Sequence, residues 1–109
     1  MEKTFITISH LDDFMSEEFM EPGAAFSLVK EPSSYDEESI SVYSGRGVKC
    51  GYVANSWNRV ARGTHSAGYI SRDFKKKASC IVRFRTENIA IAELVLIEEA
   101  QPESEKSDF

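Results

Sequence analysis

The sequence is poor in the features that most small chains use for covalent or catalytic work. Cysteine occurs twice, at Cys50 and Cys80. Two are too few for a disulfide framework, and their spacing is not that of a metal site. Both lie in strand-like apolar surroundings and read as buried small hydrophobes. Histidine also occurs twice, and His10 and His65 lie far apart in sequence. There is no nucleophile elbow, no His–carboxylate pair at useful spacing and no phosphate-cradling glycine loop, since Gly45-Arg46-Gly47 is too short. Catalysis is therefore not expected, and neither is a cofactor. No apolar run approaches the roughly 18 residues that span a bilayer as a helix, so no membrane role is expected. The opening Met1-Glu2-Lys3-Thr4-Phe5 lacks the basic flank and apolar stretch of a secretory leader, which points to a cytoplasmic protein.

What is present suits one globular domain. The chain has 109 residues, 41% hydrophobic and 28% charged. That length supports a single core, and that composition is too apolar for a disordered chain. The net charge of −5 conceals a marked segregation. Residues 1–38 carry ten acids and two bases, residues 39–85 one acid and ten bases, and residues 86–109 seven acids and one base. A middle segment of +9 between segments of −8 and −6 points to a polarised surface and to partners more than the total does. Mutual neutralisation of the segments in the fold is the competing reading.

Strand signals dominate. Thr4–Ile8, Phe26–Lys30, Ser39–Tyr43 and Val48–Val53 alternate or are β-branched, and Pro22-Gly23 and Pro32 punctuate them. Ser44-Gly45-Arg46-Gly47 reads as the hairpin turn between the third and fourth. In Ser79–Thr86 the alternation places Cys80, Val82 and Phe84 inward and Arg83 and Arg85 outward. Ile89–Ile97 reads as a last strand, either covered on both faces or bending across a barrel. A short helix over 57–62, capped by Asn55 or Ser56, would put Trp57, Val60 and Ala61 on one face and Arg59 and Arg62 on the other. Residues 64–74 form a loop or a second short helix. From Glu98 the chain reads as an acidic disordered tail. The fold class is mainly β: a small six-stranded, OB-like barrel over residues 1–97 with one or two short helices, closure being the usual way for so small a sheet to hide its edges.

Two blocks carry a family likeness. Leu28-Val29-Lys30-Glu31-Pro32 continues to Tyr35-Asp36 and Ser39-Ile40-Ser41-Val42, and Gly51-Tyr52-Val53-Ala54 follows. In that order, over about residues 4–97, they resemble the HIRAN domain in its short bacterial stand-alone form. The resemblance implies an oligonucleotide-binding-like barrel that captures single-stranded DNA at its 3′ end. Tyr35 and Asp36 match the pair that holds the terminal nucleotide, Lys30 the basic residue before Glu-Pro, and Tyr52 an aromatic or histidine position.

The chemistry of such a site is coherent. Asp36 could accept a hydrogen bond from a 3′-hydroxyl, an aromatic ring could stack a base, and cations could neutralise phosphate. Phe14, in the first loop, is a further candidate for stacking. Arg59, Arg62, Arg83 and Arg85, with Lys75-Lys76-Lys77, could supply the positive surface. Each has a plainer reading: Tyr35-Asp36 as an ordinary turn, Trp57 as core, the lysine run as a solvated loop. Asp12 and Asp13, beside Phe14, would repel phosphate and favour the alternative function, a protein-interaction module that keeps the barrel without binding DNA. Oligomeric state is not legible.

Overall fold

The computed structural model describes residues 3–34, 37–56, 59–86 and 88–95. Six antiparallel strands close into a barrel: β1 (Phe5–Ser9), β2 (Ala25–Lys30), β3 (Ile40–Tyr43), β4 (Lys49–Val53), β5 (Lys77–Arg85) and β6 (Ala90–Val95). The order around the barrel is β1-β4-β3-β2-β5-β6. The small OB-like barrel expected from the sequence is thus what forms. One short helix is present among the described residues, α1 (Ala67–Ile70), capped by the Ser66 hydroxyl, which accepts the Tyr69 amide.

Period-two alternation supplies the core. Ile6 and Ile8, Leu28, Ile40 and Val42, Cys80 and Val82, and Ala90 and Ala92 are all buried inside the barrel. Leu11, Met20, Ile70 and Phe74 close its ends from the connections. Thr7 faces outward on β1 yet is fully buried. Its hydroxyl bonds the Thr64 hydroxyl at 2.8 Å and accepts the Ala61 amide at 3.0 Å, pinning the 59–66 connection over the strand. The helix expected over 57–62 lies partly outside the described residues. In its described part, 59–62, the chain makes turns, and the amides of Arg59 and Val60 both return to the Ser56 carbonyl.

Two register shifts alter what alternation alone would give. On β4, Ser41 faces Tyr52 and Val42 faces Gly51, but Tyr43 faces Lys49, so Cys50 is an extra residue. On β5, Val82 faces Ala92 while Phe84 faces Ile91, so Arg83 is the extra residue. The inward placement of Phe84 is therefore corrected: the residue is 63% exposed, and Arg85 pairs with Ala90 across the sheet.

The β1–β4 seam is short, pairing Ile8 with Val53 and Ser9 with Tyr52. Gly51 permits it. A Cβ there would sit 2.6 Å from the Ser9 carbonyl oxygen and 3.2 Å from the Ile8 side chain, and backbone cannot retreat as a flexible side chain would. Gly51→Ala is accordingly expected to lower the unfolding free energy by about 1–3 kcal/mol, the range for an overpacked core, as a reduced urea midpoint. Gly45→Ala, where a Cβ meets nothing within 4 Å, is the control and should leave the midpoint nearly unchanged.

Candidate functional site

Outward residues of β1, β3 and β4 line an open groove of about 440 Å³. Its walls include Ser9, His10, Glu31, Ser41, Lys49, Tyr52 and Arg59. Tyr52 is central. The rings of His10 and Phe14 meet it edge-on at 5.6 and 5.7 Å, and the Lys49 ammonium lies 4.8 Å from its centroid. Lys49 and Tyr52, three residues apart, would face opposite ways on a regular strand; the extra residue Cys50 turns them to one side.

Glu31, immediately after β2, anchors the polar side. Its Oε1 accepts from the Ser41 hydroxyl at 2.7 Å, and the Tyr43 hydroxyl lies 2.9 Å from Oε1 and 2.7 Å from Oε2. Lys49 approaches Oε1 at 3.4 Å. These contacts, that of Ser41 foremost, hold the Glu31 carboxyl below its ordinary 4.5. The same carboxylate pushes Tyr43 above its ordinary 10.0. For Lys49, burial acts to lower the value, but the Tyr52 hydroxyl and Glu31 outweigh it and the ammonium is favoured.

The first loop is fixed from below. Ser16 is buried, and its hydroxyl donates to the Cys50 carbonyl at 2.6 Å, tying residues 10–16 to β4. His10 has φ of +65°, an uncommon conformation for a side-chain-bearing residue, and its Nδ1 lies 2.9 Å from the Ser9 hydroxyl.

The residues expected to form a nucleic-acid surface are only partly brought together. Tyr52 and Arg59 line the groove, and Phe14 packs on Tyr52. Tyr35 and Asp36, like Trp57 and the acidic tail, lie outside the described residues. Lys30 faces the barrel end, where its ammonium donates to the Ser71 and Phe74 carbonyls and lies over the Phe74 ring. It serves the fold rather than the groove. Arg83 pairs with Glu93 at 3.0 Å, while Arg62 and Arg85 are exposed and outside the groove lining. The positive surface expected from these cations is therefore dispersed, with Arg83 held in an ion pair and Lys30 turned to the barrel end.

His10, Glu31, Ser41 and Lys49 were not singled out from the sequence. The outward position of Ser41 was implied by the inward alternation of Ile40 and Val42; nothing local marks the Cys50 bulge that positions Lys49.

No family model matches the chain, and no match appears among curated proteins or solved structures.

Two outcomes follow for this site. Because the Glu31 carboxyl is lowered in the fold, its stabilising contribution is present above 4.5 and is lost as pH falls through the folded value. The melting temperature of wild type should exceed that of Glu31→Gln at pH 7, and the gap should close as the pH is taken down through the lowered folded value. Ser16→Ala strands the buried Cys50 carbonyl and should cost about 1–3 kcal/mol, with broadened NMR signals for His10 and Phe14.

Proposed function

We propose that the chain is a non-catalytic nucleic-acid-binding module that holds the terminal nucleotide of a single strand in the Tyr52 groove. The supporting observation is the meeting in one open cavity of an aromatic ring, an ionised carboxylate and two cations: Tyr52, Glu31, Lys49 and Arg59. Each suits one part of a nucleotide. A base stacks on an aromatic ring, a sugar hydroxyl donates to a carboxylate, and a phosphate is neutralised by Lys or Arg. A volume near 440 Å³ suits one nucleotide better than a run of them. The likeness of Leu28–Pro32 and Gly51–Ala54 to the HIRAN pattern points the same way and suggests a DNA 3′ end.

Charge placement favours an end over a tracked strand. Arg59 also borders a neighbouring cavity of about 260 Å³ whose other walls include Asp12 and Asp13. A strand continuing past Arg59 would meet those carboxylates, so the groove suits a chain that stops there. The same two carboxylates favour a second reading, a protein-interaction module that retains the barrel alone.

Binding of a short labelled single strand, followed by fluorescence anisotropy across a salt series, separates the two. With two cations in the groove, log K should fall against log salt with a slope of about −1 to −2. Lys49→Ala with Arg59→Ala should flatten that slope, whereas Arg83→Ala with Arg85→Ala should not. Tyr52→Ala should cost about 1–3 kcal/mol of binding. A free 3′-hydroxyl should bind better than a 3′-phosphate, with Glu31→Gln removing the preference. Absence of binding at any salt would reject the module as a nucleic-acid binder.

A further inference from the structure

A second concavity, sharing no lining residue with the groove, lies at the opposite end of the β3–β4 hairpin. It has a volume of about 680 Å³, and its floor and walls are largely apolar: Phe19, Ala24, Ala25, Phe26 and Val48. Phe19 is 57% exposed and Val48 54%, although both are large apolar side chains beside a well-filled core. The fold holds Phe19 outward. It ends a 3-10 turn, Glu17–Phe19, whose neighbour Met20 is the buried anchor.

The rim is charged in a definite pattern. Glu18 and Glu21 come from the segment that carries Phe19, and Arg46 comes from the hairpin turn that leads to Val48. None of the three makes an ion pair among the described residues. An apolar cleft lined by unneutralised charges of opposite sign, each from a different segment, is matched by a ligand of complementary polarity.

We propose that this cleft docks a segment of a partner protein in which one large apolar side chain is flanked by lysine or arginine on one side and by aspartate or glutamate on the other. The apolar side chain fills the space between Phe19 and Val48 over Phe26. The basic flank meets Glu18 and Glu21, and the acidic flank meets Arg46. Nucleic acid does not suit the cleft, because Glu18 and Glu21 repel phosphate.

Four synthetic peptides test this against the isotopically labelled full chain by NMR titration. Each carries two arginines, one anchor and two aspartates, the anchor being Leu, Met, Phe or Trp. The expected result is saturable shifts of the Phe19, Ala25 and Val48 amides with at least one anchor, weakened tenfold or more by Phe19→Ser with Val48→Ser. Both substituted positions are exposed, and an unchanged melting temperature confirms that the variant folds. Glu18→Lys with Glu21→Lys should also weaken binding tenfold, and binding should return for peptides whose arginines are replaced by glutamates.

The proposal is overturned if none of the four peptides shifts these amides at millimolar concentration, or if serine in place of the anchor binds equally well. It also fails if reversing the rim charges has no effect. Shifts at the same amides that grow with protein concentration in the absence of peptide would assign the cleft to a second copy of the chain instead. Loss of oligonucleotide binding in Tyr52→Ala with peptide shifts retained would show that cleft and groove act separately.

Discussion

Closure of the barrel at the β1–β4 seam is the constraint on which the rest depends. It rests on two residue pairs and on the close approach of Ser9 to Gly51, where any side chain would collide with backbone. Once closed, the seam fixes Ser9 opposite Tyr52 and directs the chain from Ser9 into His10, across the Tyr52 ring. Ser16 then returns the loop to β4 through the Cys50 carbonyl. The groove is thus a consequence of where the sheet meets itself. Its aromatic cluster joins the first loop, through His10 and Phe14, to Tyr52 on β4, two segments that closure makes neighbours.

The strands, the hairpin turn and most of the core were legible because alternation with period two is a property of a few consecutive residues. The illegible part traces to two bulges. At Arg83 the extra residue reverses the expected direction of Phe84 and Arg85. At Cys50 it puts Lys49 and Tyr52 on one face. A bulge is decided by register with the partner strand, and neither Arg83 nor Cys50 marks its own position. The short helix illustrates the same limit. Residues 64–74 allowed a loop or a helix; the Ser66 cap and the buried Ala67 and Ile70 settle it through contacts with the barrel.

Charge segregation was equally plain in the sequence, but its consequence was not. The basic middle segment is divided by the fold. Lys49 meets Glu31 from the acidic first segment, and Arg83 meets Glu93 from the acidic last one. Lys30, itself from the acidic segment, faces the barrel end because Lys30 pairs with inward Ile40. Segregation along the chain therefore serves cross-strand neutralisation in part, and only the remainder can act on a ligand. Exposed ion pairs of this kind contribute little to stability, about 0–1 kcal/mol each. Their larger effect is to set which cations stay available, Arg59 among those lining the groove.

That remainder bounds affinity. On the proposed reading, one base stacked on Tyr52 would supply about 1–3 kcal/mol, and two phosphate contacts would add a salt-dependent amount of similar size. Such a sum, about 2–6 kcal/mol, corresponds to binding between tens of millimolar and tens of micromolar, since each tenfold step needs about 1.4 kcal/mol. Glu31, Tyr43 and Lys49 already satisfy one another, so a ligand must exchange contacts there instead of adding them. Preorganisation of this kind favours discrimination between ends over tight capture. A site so limited gains strength chiefly when its ligand is held nearby by a second attachment, which raises the local concentration without new contacts in the groove. The apolar cleft at the other end of the β3–β4 hairpin is placed for that: it leaves the groove open and shares no residue with it. If both proposals hold, a barrel with a weak, selective groove and a separate protein-docking cleft would be physically suited to deliver an end to a partner, and neither surface would need to bind tightly alone.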